Sequence, residues 1–200
     1  MKAILIGKYI LATTLLILPL SVFAKTETAL FAAGCFWCAE HDFEKVPGVL
    51  TVVSGYTGGH VKDPSYEAVS AGGTGHYEAI EVIYDASKVS YKQLLTTFWH
   101  NVDPLDATGQ FCDKGQQYRS VIFYRNNAEK KQAEASEKAL AATHGFKQIS
   151  TLILPAVTFY PAEDYHQNYA SKNPVRYNYY RFSCGRDKRL KQLWGEDATH

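Results

Sequence analysis

Short apolar runs alternate with longer segments of mixed polarity along the chain. Apolar runs bounded by glycine, proline or polar residues predict buried β-strands, here at 30–33, 50–54, 77–84, 121–124 and 151–154. Three segments between these runs predict helices. The first is 36–46, which ends before Pro47, and the second is 91–100, for which Ser90 is the expected N-cap. The third is capped by Asn126 or Asn127 and runs to His144, where Gly145 ends it.

The mixture of strands and helices indicates the fold class. The chain has 200 residues and neither a repeat nor a linker, which suggests one domain. Two predicted helices are long enough to cover one face of a sheet. We therefore expect a single-domain α+β fold, a two-layer sandwich with helices packed on a mixed sheet around a ferredoxin-like core. The aromatic segment 165–194, called the tail below, has no clear period and is expected to be irregular.

The first 24 residues predict a signal peptide. Lys2 and Lys8 precede an apolar run at 9–20, and 22–24 form the small-x-small pattern that signal peptidase cleaves. The run is short for a membrane span, and an uncleaved anchor is the alternative. We therefore expect an exported, periplasmic protein of a Gram-negative bacterium with a mature domain at 25–200. No stable membrane association is expected after cleavage.

Composition narrows the function classes. Hydrophobic residues make up 46% and charged residues 20%, which argues against a disordered chain or a low-complexity fibre. The net charge is +1, which argues against a protein that binds nucleic acid through a basic surface. Cleavage after Ala24 would remove two lysines and Met1, the single methionine. The mature chain would have a net charge of −1 (+1 less 2) and no methionine.

The four cysteines are the first candidates for a catalytic, metal-binding or disulfide site. Cys35 and Cys38 form a C-x-x-C pair, whereas Cys112 and Cys184 are isolated. A zinc site needs a second pair or histidines at matching spacing, and the chain offers neither. The H-x-E at 76–78 follows the C-x-x-C, the reverse of the order in zinc deaminases. No metal is therefore expected, and purely structural disulfides are an alternative for an exported chain.

Cys35 is the candidate nucleophile because it follows Gly34 between a predicted strand and a predicted helix. Unpaired N–H groups and the helix dipole at such a position favour a thiolate of low pKa. The same placement fits a thioredoxin-like disulfide exchanger that uses Cys35 and Cys38. Phe36 and Trp37 place aromatic surface beside the thiol, or else belong to an ordinary core.

Glu78 is the candidate acid. Alternation along its strand places it on one face with Ile80, Val82 and Tyr84, the more apolar set. Burial raises the pKa of a carboxyl, so that Glu78 could hold a proton at neutral pH and act as a general acid. The alternative is a glutamate at a strand end that bends into solvent.

These residues resemble a known family. Gly34-Cys35-Phe36-Trp37 is similar to the signature of the A-type peptide methionine sulfoxide reductases. Further motifs match in order along the chain, and their combination is specific although each alone is weak. They lie at 55–59, 64–66, 75–78, 113, 117–120, 165–167 and 172–174. The resemblance covers roughly residues 29–175.

The resemblance implies reduction of methionine-S-sulfoxide, free or in oxidised proteins, to methionine. Cys35 would attack the sulfoxide sulfur and become a sulfenic acid. Glu78 would protonate the sulfoxide oxygen or donate a hydrogen bond to it. The implied catalytic residues are Cys35, Glu78, Tyr66 and Tyr118, and the implied substrate-binding residues are Phe36, Trp37 and Asp113.

The sulfenic acid must then be resolved by a second thiol. An intramolecular disulfide forms, and an external reductant, a thioredoxin-like protein or dithiothreitol, reopens it. Many relatives have glycine at the position of Cys38 and resolve through a glycine-rich tail, which this chain lacks. Three candidates stay open, Cys184, Cys38 and Cys112, in that order of expectation. No metal or organic cofactor is implied, and a monomer is expected.

Two other functions stay open at this point. One is a periplasmic disulfide exchanger, and the other is a non-catalytic binding module stabilised by disulfides.

Overall fold

The computed structural model describes residues 25–198, so the predicted signal peptide lies outside the described residues. Residues 25–198 form eight β-strands and seven α-helices. The strands are β1 (Thr26–Ala33), β2 (Val49–Thr57), β3 (Tyr77–Asp85), β4 (Gly109–Gln110), β5 (Asp113–Lys114), β6 (Ser120–Tyr124), β7 (Leu152–Pro155) and β8 (Tyr160–Pro161). The helices are α1 (Phe36–Glu44), α2 (Tyr66–Ala71), α3 (Tyr91–His100), α4 (Asn127–His144), α5 (Tyr169–Lys172), α6 (Pro174–Ser183) and α7 (Arg186–Trp194). Within this described range, no helix combines the length and the apolar character that crossing a bilayer requires.

Six strands form the main sheet in the order β7-β6-β1-β3-β2-β8. Its four central strands, β6, β1, β3 and β2, pair antiparallel. Helix α1 connects β1 to β2, and α3 follows β3 before the chain reaches β6. This connectivity confirms the predicted ferredoxin-like core. Strand β7 pairs parallel with β6 after the crossover helix α4, so the sheet is mixed, as predicted.

The helices α1, α3 and α4 bury one face of the sheet. That face presents Phe31 of β1, whose ring lies 5.3 Å from the rings of both Phe43 of α1 and Phe98 of α3. The other face carries a smaller apolar cluster, in which Leu152 and Leu154 of the edge strand β7 and Ala156 and Phe159 of the segment that follows it pack against Phe123 and its neighbours. The result is the expected two-layer sandwich.

Helix boundaries follow local capping chemistry. Helix α3 begins after Ser90, which forms a capping box with Gln93. The side chain of Asn126 accepts hydrogen bonds from two amides in the first turn of α4. Gly145 ends α4 with a φ of +67°, a left-handed conformation that glycine adopts without strain. These ends agree with the prediction because neighbouring residues determine them.

The expectation of an irregular tail is wrong. The tail forms α5, α6 and α7, with Pro174 at the start of α6. The buried positions of α7 are Arg186, Leu190 and Trp194, at the four-residue spacing of a helix. One of these positions is an arginine, and Arg181 is likewise buried in α6, so the apolar period is interrupted and the sequence pattern conceals the helices.

The buried arginines connect the tail to the rest of the fold. Nη1 of Arg181 donates to both carboxylate oxygens of Asp42 in α1, at 2.9 and 3.0 Å. Arg186 donates to the carbonyl oxygens of Ala33 and Asn101, at 3.2 and 2.7 Å. Removing one partner of a buried ion pair costs about 3–5 kcal/mol, so Arg181 holds α6 firmly against α1. Arg186 joins α7 to the end of β1 and to the C-cap of α3.

Candidate active site

A small pocket brings together residues from six separate parts of the chain. Its lining consists of Cys35, Phe36, Trp37, Tyr66, Glu78, Asp113, Tyr118 and Tyr180. The first seven are the residues to which the sequence analysis assigned catalytic or substrate-binding roles. The eighth, Tyr180, was not among them. The fold therefore places all seven side chains around one cavity, although they are spread over more than eighty residues of sequence.

The turn at Gly34 positions Cys35. Gly34 has a φ of +80°, and a Cβ atom there would lie 2.6 Å from the Cβ of Gln110. Only glycine fits this turn, because both the backbone conformation and the close neighbour exclude a side chain. Cys35 then occupies the N-cap of α1, and its side chain makes no capping hydrogen bond. The sulfur of Cys35 therefore lies at the start of α1 and accepts no capping hydrogen bond from the helix amides, so it stays available for reaction.

The expected low pKa of Cys35 is wrong for this structure. Burial raises the pKa of the thiol well above 9.0, and the nearby Cys38, Glu78 and Asp113 raise it further. The helix dipole favours the thiolate, but the loss of hydration and the neighbouring acids outweigh it. In the absence of substrate, Cys35 is therefore held as a thiol.

Glu78 behaves as the sequence predicted. It lies on the same face of β3 as Ile80 and Val82, which are part of the main core, and it is 2% exposed. Burial raises its pKa from 4.5 to about 8, and the charge of Asp113 raises it further, although a hydrogen bond from Phe36 lowers it. The backbone amide of Phe36 donates to Oε2 at 3.0 Å. At neutral pH the carboxyl therefore holds a proton directly beside Cys35.

Two tyrosine hydroxyls complete the polar side of the pocket. Burial raises the pKa of Tyr66 to about 12 and also raises the pKa of Tyr118, so both remain hydroxyl donors. The backbone amide of Tyr66 donates to Glu163 at 2.9 Å, and Glu163 also accepts from Tyr56 at 2.9 Å. Glu163, outside the motifs used above, thus fixes the start of α2.

The aromatic side of the pocket is rigid. The indole of Trp37 stacks on Tyr169 with a centroid distance of 3.7 Å and an interplanar angle of 5°. Its Nε1–H donates to Nδ1 of His166 at 3.0 Å. Because burial lowers the pKa of His166, that ring remains a neutral acceptor. Phe36 lines the pocket and also belongs to the main core. It is therefore both aromatic surface beside the thiol and a core residue, the two interpretations that the sequence left open.

Tyr180 is the pocket residue that the sequence analysis missed. Its hydroxyl donates a hydrogen bond to Oδ2 of Asp113, and its ring meets Trp37 edge-on at 5.9 Å. Because the tail sequence did not predict a helix, it did not place this tyrosine near the site. A helical interpretation of the tail would have placed it one turn before Cys184, on the same side of the helix.

The structure divides the four cysteines into two pairs. Cys112 and Cys184 form a disulfide, whereas Cys35 and Cys38 are free and buried. Two of the three candidate resolving cysteines are therefore bonded to each other. A hydrogen bond from the Cys35 thiol lowers the pKa of Cys38 and outweighs the effect of burial, and the charges of Arg186 and Arg181 lower it further. Cys38 is thus the more acidic member of the free pair.

With this geometry established, comparison with known proteins identifies the family. A family model described as peptide methionine sulfoxide reductase matches residues 27–198. The chain belongs to the peptide methionine sulfoxide reductase family. Membership confirms the enzyme class that the motifs predicted, an oxidoreductase that reduces methionine sulfoxide, and decides against the two alternative functions. The match extends beyond the 29–175 of the sequence resemblance, so the helical tail is part of the family domain.

Individual relatives agree with this assignment. Peptide methionine sulfoxide reductase MsrA 2 of Caulobacter vibrioides is 53% identical over 175 residues, which cover 86% of this chain and 87% of the relative. MsrA of Bacillus licheniformis is 49% identical over 172 residues, which cover 86% of this chain and 95% of the relative.

Solved structures of the family share the fold. Methionine sulfoxide reductase A of Corynebacterium diphtheriae superposes with a TM-score of 0.67 at 34% identity, over 77% of this chain and 78% of that chain. Reduced Mxr1 from Saccharomyces cerevisiae gives a TM-score of 0.71 at 34% identity, over 76% of this chain and 87% of that chain. Mxr1 has also been solved in complex with Trx2, and that match, at 24% identity and a TM-score of 0.52, supports the fold alone.

The raised pKa of Glu78 predicts a pH dependence of stability. We expect the free energy of unfolding of the wild-type chain to fall, relative to that of Glu78→Gln, between pH 4.5 and about 8. The unfolded chain releases this proton near pH 4.5 whereas the folded chain keeps it until about 8, so stability present below 4.5 is lost across the interval. Urea unfolding at stepped pH measures the difference.

The control for this experiment is Glu81→Gln, three residues along the same strand on its opposite face. This variant should follow the wild type across the interval. A constant difference between the wild type and Glu78→Gln from pH 4.5 to 8 would contradict the raised pKa.

Proposed function

We propose that the chain reduces the S epimer of methionine sulfoxide, free or in oxidised proteins, with Cys35 as nucleophile and Glu78 as acid. One observation carries the proposal. The carboxyl of Glu78 is fully buried, has a pKa of about 8 and lines the same small pocket as the thiol of Cys35. It also accepts a hydrogen bond from the backbone amide of Phe36, the residue that follows Cys35. A proton donor and a sulfur nucleophile are what a sulfoxide requires, because its sulfur is a poor electrophile until the oxygen is protonated.

The proposed step balances without an outside proton. Glu78 gives its proton to the sulfoxide oxygen as the sulfur of Cys35 attacks the sulfoxide. This attack forms a bond between the two sulfurs. The hydroxyl then passes from the substrate sulfur to the sulfur of Cys35, the bond between the two sulfurs breaks, and Cys35 is left as a sulfenic acid. Methionine leaves as a thioether that has gained two electrons, and Cys35 has lost two. The thiol proton of Cys35 returns to Glu78, so a raised thiol pKa is compatible with the reaction.

The two sides of the pocket account for the substrate. Phe36 and Trp37 offer apolar surface to the methyl group, and a sulfur–aromatic contact contributes about 0.3–1.5 kcal/mol. The hydroxyls of Tyr66 and Tyr118 and the carboxyl of Glu78 face the oxygen from other walls. Since the oxygen, the methyl group and the peptide side of the sulfoxide each need a different wall, a rigid pocket accepts one configuration at sulfur.

We propose that Cys38 resolves the sulfenic acid. Its sulfur is one helical turn from Cys35 and accepts a hydrogen bond from that thiol, and the buried cations Arg186 and Arg181 favour its thiolate. In this step the Cys38 thiolate attacks the sulfur of the sulfenic acid. A disulfide forms, and the hydroxyl leaves as water after taking up a proton. Cys112 and Cys184 are already bonded to each other and need not take part.

An external dithiol then reduces the Cys35–Cys38 disulfide and returns both thiols. A thioredoxin-like protein is the proposed physiological reductant, because the related yeast protein Mxr1 has been solved in complex with Trx2. Dithiothreitol serves in the assay. A monomer is the proposed active form, and light scattering at assay concentrations measures the oligomeric state.

We propose an exported, periplasmic location. Residues 1–24 have the composition of a signal peptide, and the Cys112–Cys184 disulfide suits an oxidising compartment. In a Gram-negative host that expresses the full chain, we expect the protein in the periplasmic fraction with Lys25 at its N-terminus, as read by N-terminal sequencing. Recovery in the cytoplasm with Met1 retained would contradict the proposal.

The walls of the pocket predict selectivity for one epimer, and the acid role of Glu78 predicts a reaction rate that falls at high pH. Wild-type chain should reduce the S epimer and leave the R epimer unchanged, and its rate should fall as the pH rises through about 8. Glu78→Gln should lower the rate by about 10²–10⁴, the usual contribution of general acid catalysis, and abolish that fall with pH. The measurement is methionine formed from each separated epimer with dithiothreitol.

Glu81→Gln is again the matched control and should keep the wild-type rate. Equal reduction of both epimers, or a Glu78→Gln variant as fast as the wild type, would contradict the proposed chemistry.

The role of Cys38 predicts a specific disulfide. After one equivalent of sulfoxide without reductant, mass spectrometry of the wild-type chain should find a Cys35–Cys38 bond alongside the Cys112–Cys184 bond. Cys38→Ser should stop at a sulfenic acid on Cys35, which dimedone traps. The double variant Cys112→Ser/Cys184→Ser should still close the Cys35–Cys38 bond. A bond from Cys35 to Cys184 or to Cys112 in the wild type would contradict this assignment.

A further inference from the structure

Two adjacent links join the same two elements beside the pocket. Cys112 is bonded to Cys184, and the next residue, Asp113, accepts a hydrogen bond from Tyr180. Cys112 and Asp113 belong to the hairpin of β4 and β5, whereas Tyr180 and Cys184 lie one helical turn apart at the end of α6. The backbone amide of Cys184 donates to the carbonyl of Tyr180 at 2.9 Å, so the two residues move together.

The β4–β5 hairpin and helix α6 differ in how firmly the rest of the fold holds them. Helix α6 is anchored by the ion pair between Arg181 and Asp42. The hairpin is outside the main sheet and forms a separate two-stranded sheet of four residues. Its tip contains Phe111 at a φ of +54°, a conformation uncommon for a residue other than glycine. At its base, the buried side chain of Gln110 binds the backbone of Asp103. The guanidinium of Arg186 in α7 lies 4.6 Å from the centre of the Phe111 ring. The tip is therefore held by the tail, through this contact and through its two links to α6.

Tyr180 forms the part of the pocket wall between the aromatic side and the acidic side. Its ring meets Trp37 edge-on at 5.9 Å, and its hydroxyl reaches Asp113. Burial raises the pKa of Tyr180, so the hydroxyl stays protonated and can keep donating to the carboxyl of Asp113. Displacement of the hairpin tip would break this hydrogen bond and separate two of the pocket walls.

We propose that the Cys112–Cys184 disulfide is a positioning element of the active site, which holds Asp113 against Tyr180 and so fixes the substrate pocket before substrate arrives. The disulfide stays closed throughout turnover. This inference rests on the proposed function, since it assigns a role in binding methionine sulfoxide to a bond outside the catalytic pair.

The consequence is a separation between binding and chemistry. Cys35 and Glu78 are held by α1 and by the central strand β3, which the disulfide does not touch. Opening the disulfide should leave the reacting groups in place. Substrate must then order the pocket wall as it binds, and that ordering lowers affinity.

The test compares the wild type, Cys112→Ser/Cys184→Ser, Tyr180→Phe and the combination of all three changes. Methionine is measured in a single turnover without reductant, as a function of the concentration of methionine-S-sulfoxide. In the double cysteine variant the half-saturating concentration should rise about tenfold, the effect expected when the hydrogen bond from Tyr180 to Asp113 is lost. The limiting rate should change less than about twofold. Tyr180→Phe should have the same effect. The combined variant should show no further rise, because all the changes remove one link.

Two controls separate this role from general damage. Tyr179→Phe changes a tyrosine of the same helix that is 74% exposed and should behave as the wild type. Hydrogen exchange of the amides at 109–114 reports the hairpin without any activity measurement. It should accelerate in the double cysteine variant and in Tyr180→Phe, and stay unchanged in Tyr179→Phe.

Three results would overturn the inference. The first is a double cysteine variant whose half-saturating concentration and hairpin exchange match the wild type. The second is a fall in the limiting rate at unchanged half-saturation. The third is a chain reduced beforehand at all four cysteines that forms two methionines instead of one, because the Cys112–Cys184 pair would then pass electrons to the catalytic pair. A wild type that forms no methionine from either epimer would instead contradict the proposed function, while the exchange data would still test the hairpin.

Discussion

The backbone amide of Phe36 donates to the buried carboxyl of Glu78, and this contact joins the two elements that carry the chemistry. The first amides of a helix lack partners within the helix, and an N-cap side chain commonly satisfies one of them. In α1 the N-cap is Cys35, whose side chain makes no such bond. Glu78, forty-two residues after Phe36, supplies the acceptor instead. The thiol is thereby left available beside a carboxyl that burial keeps protonated.

The environment of the pocket follows from this arrangement. Glu78 and Asp113 both disfavour a negative charge on Cys35, while the arginines of the tail favour one on Cys38. Two thiols one helical turn apart thus face opposite electrostatic fields. The acidic side suits proton donation to a sulfoxide, and the basic side suits attack on a sulfenic acid. Since the acids come from β3 and β5 and the cations from the tail, this division depends on the packing of distant segments around α1.

Several elements were predictable because local chemistry determines them. Helix α3 begins and ends where Ser90 and the apolar spacing place it, and Gly145 ends α4. The alternation along β3 correctly placed Glu78 on the core face. The seven predicted site residues line one pocket, and motif order along the chain was enough to find them. Tyr180 was missed because the tail helices bury arginines, whose partners, Asp42 and two backbone carbonyls, lie far away in sequence.

The amino-acid sequence by itself determined the bounds of α3, the end of α4, the fold class, the family and seven of the eight residues that line the site. Capping, alternation and motif spacing are short-range properties, so they can be recognised without a structure. Only the tertiary structure decided the ionisation of Cys35, the pairing of Cys112 with Cys184 and the placement of Tyr180 in the pocket. Each of these depends on which distant groups are buried together. Desolvation raises a thiol pKa that a helix start would lower, and a disulfide requires two cysteines that folding brings into contact.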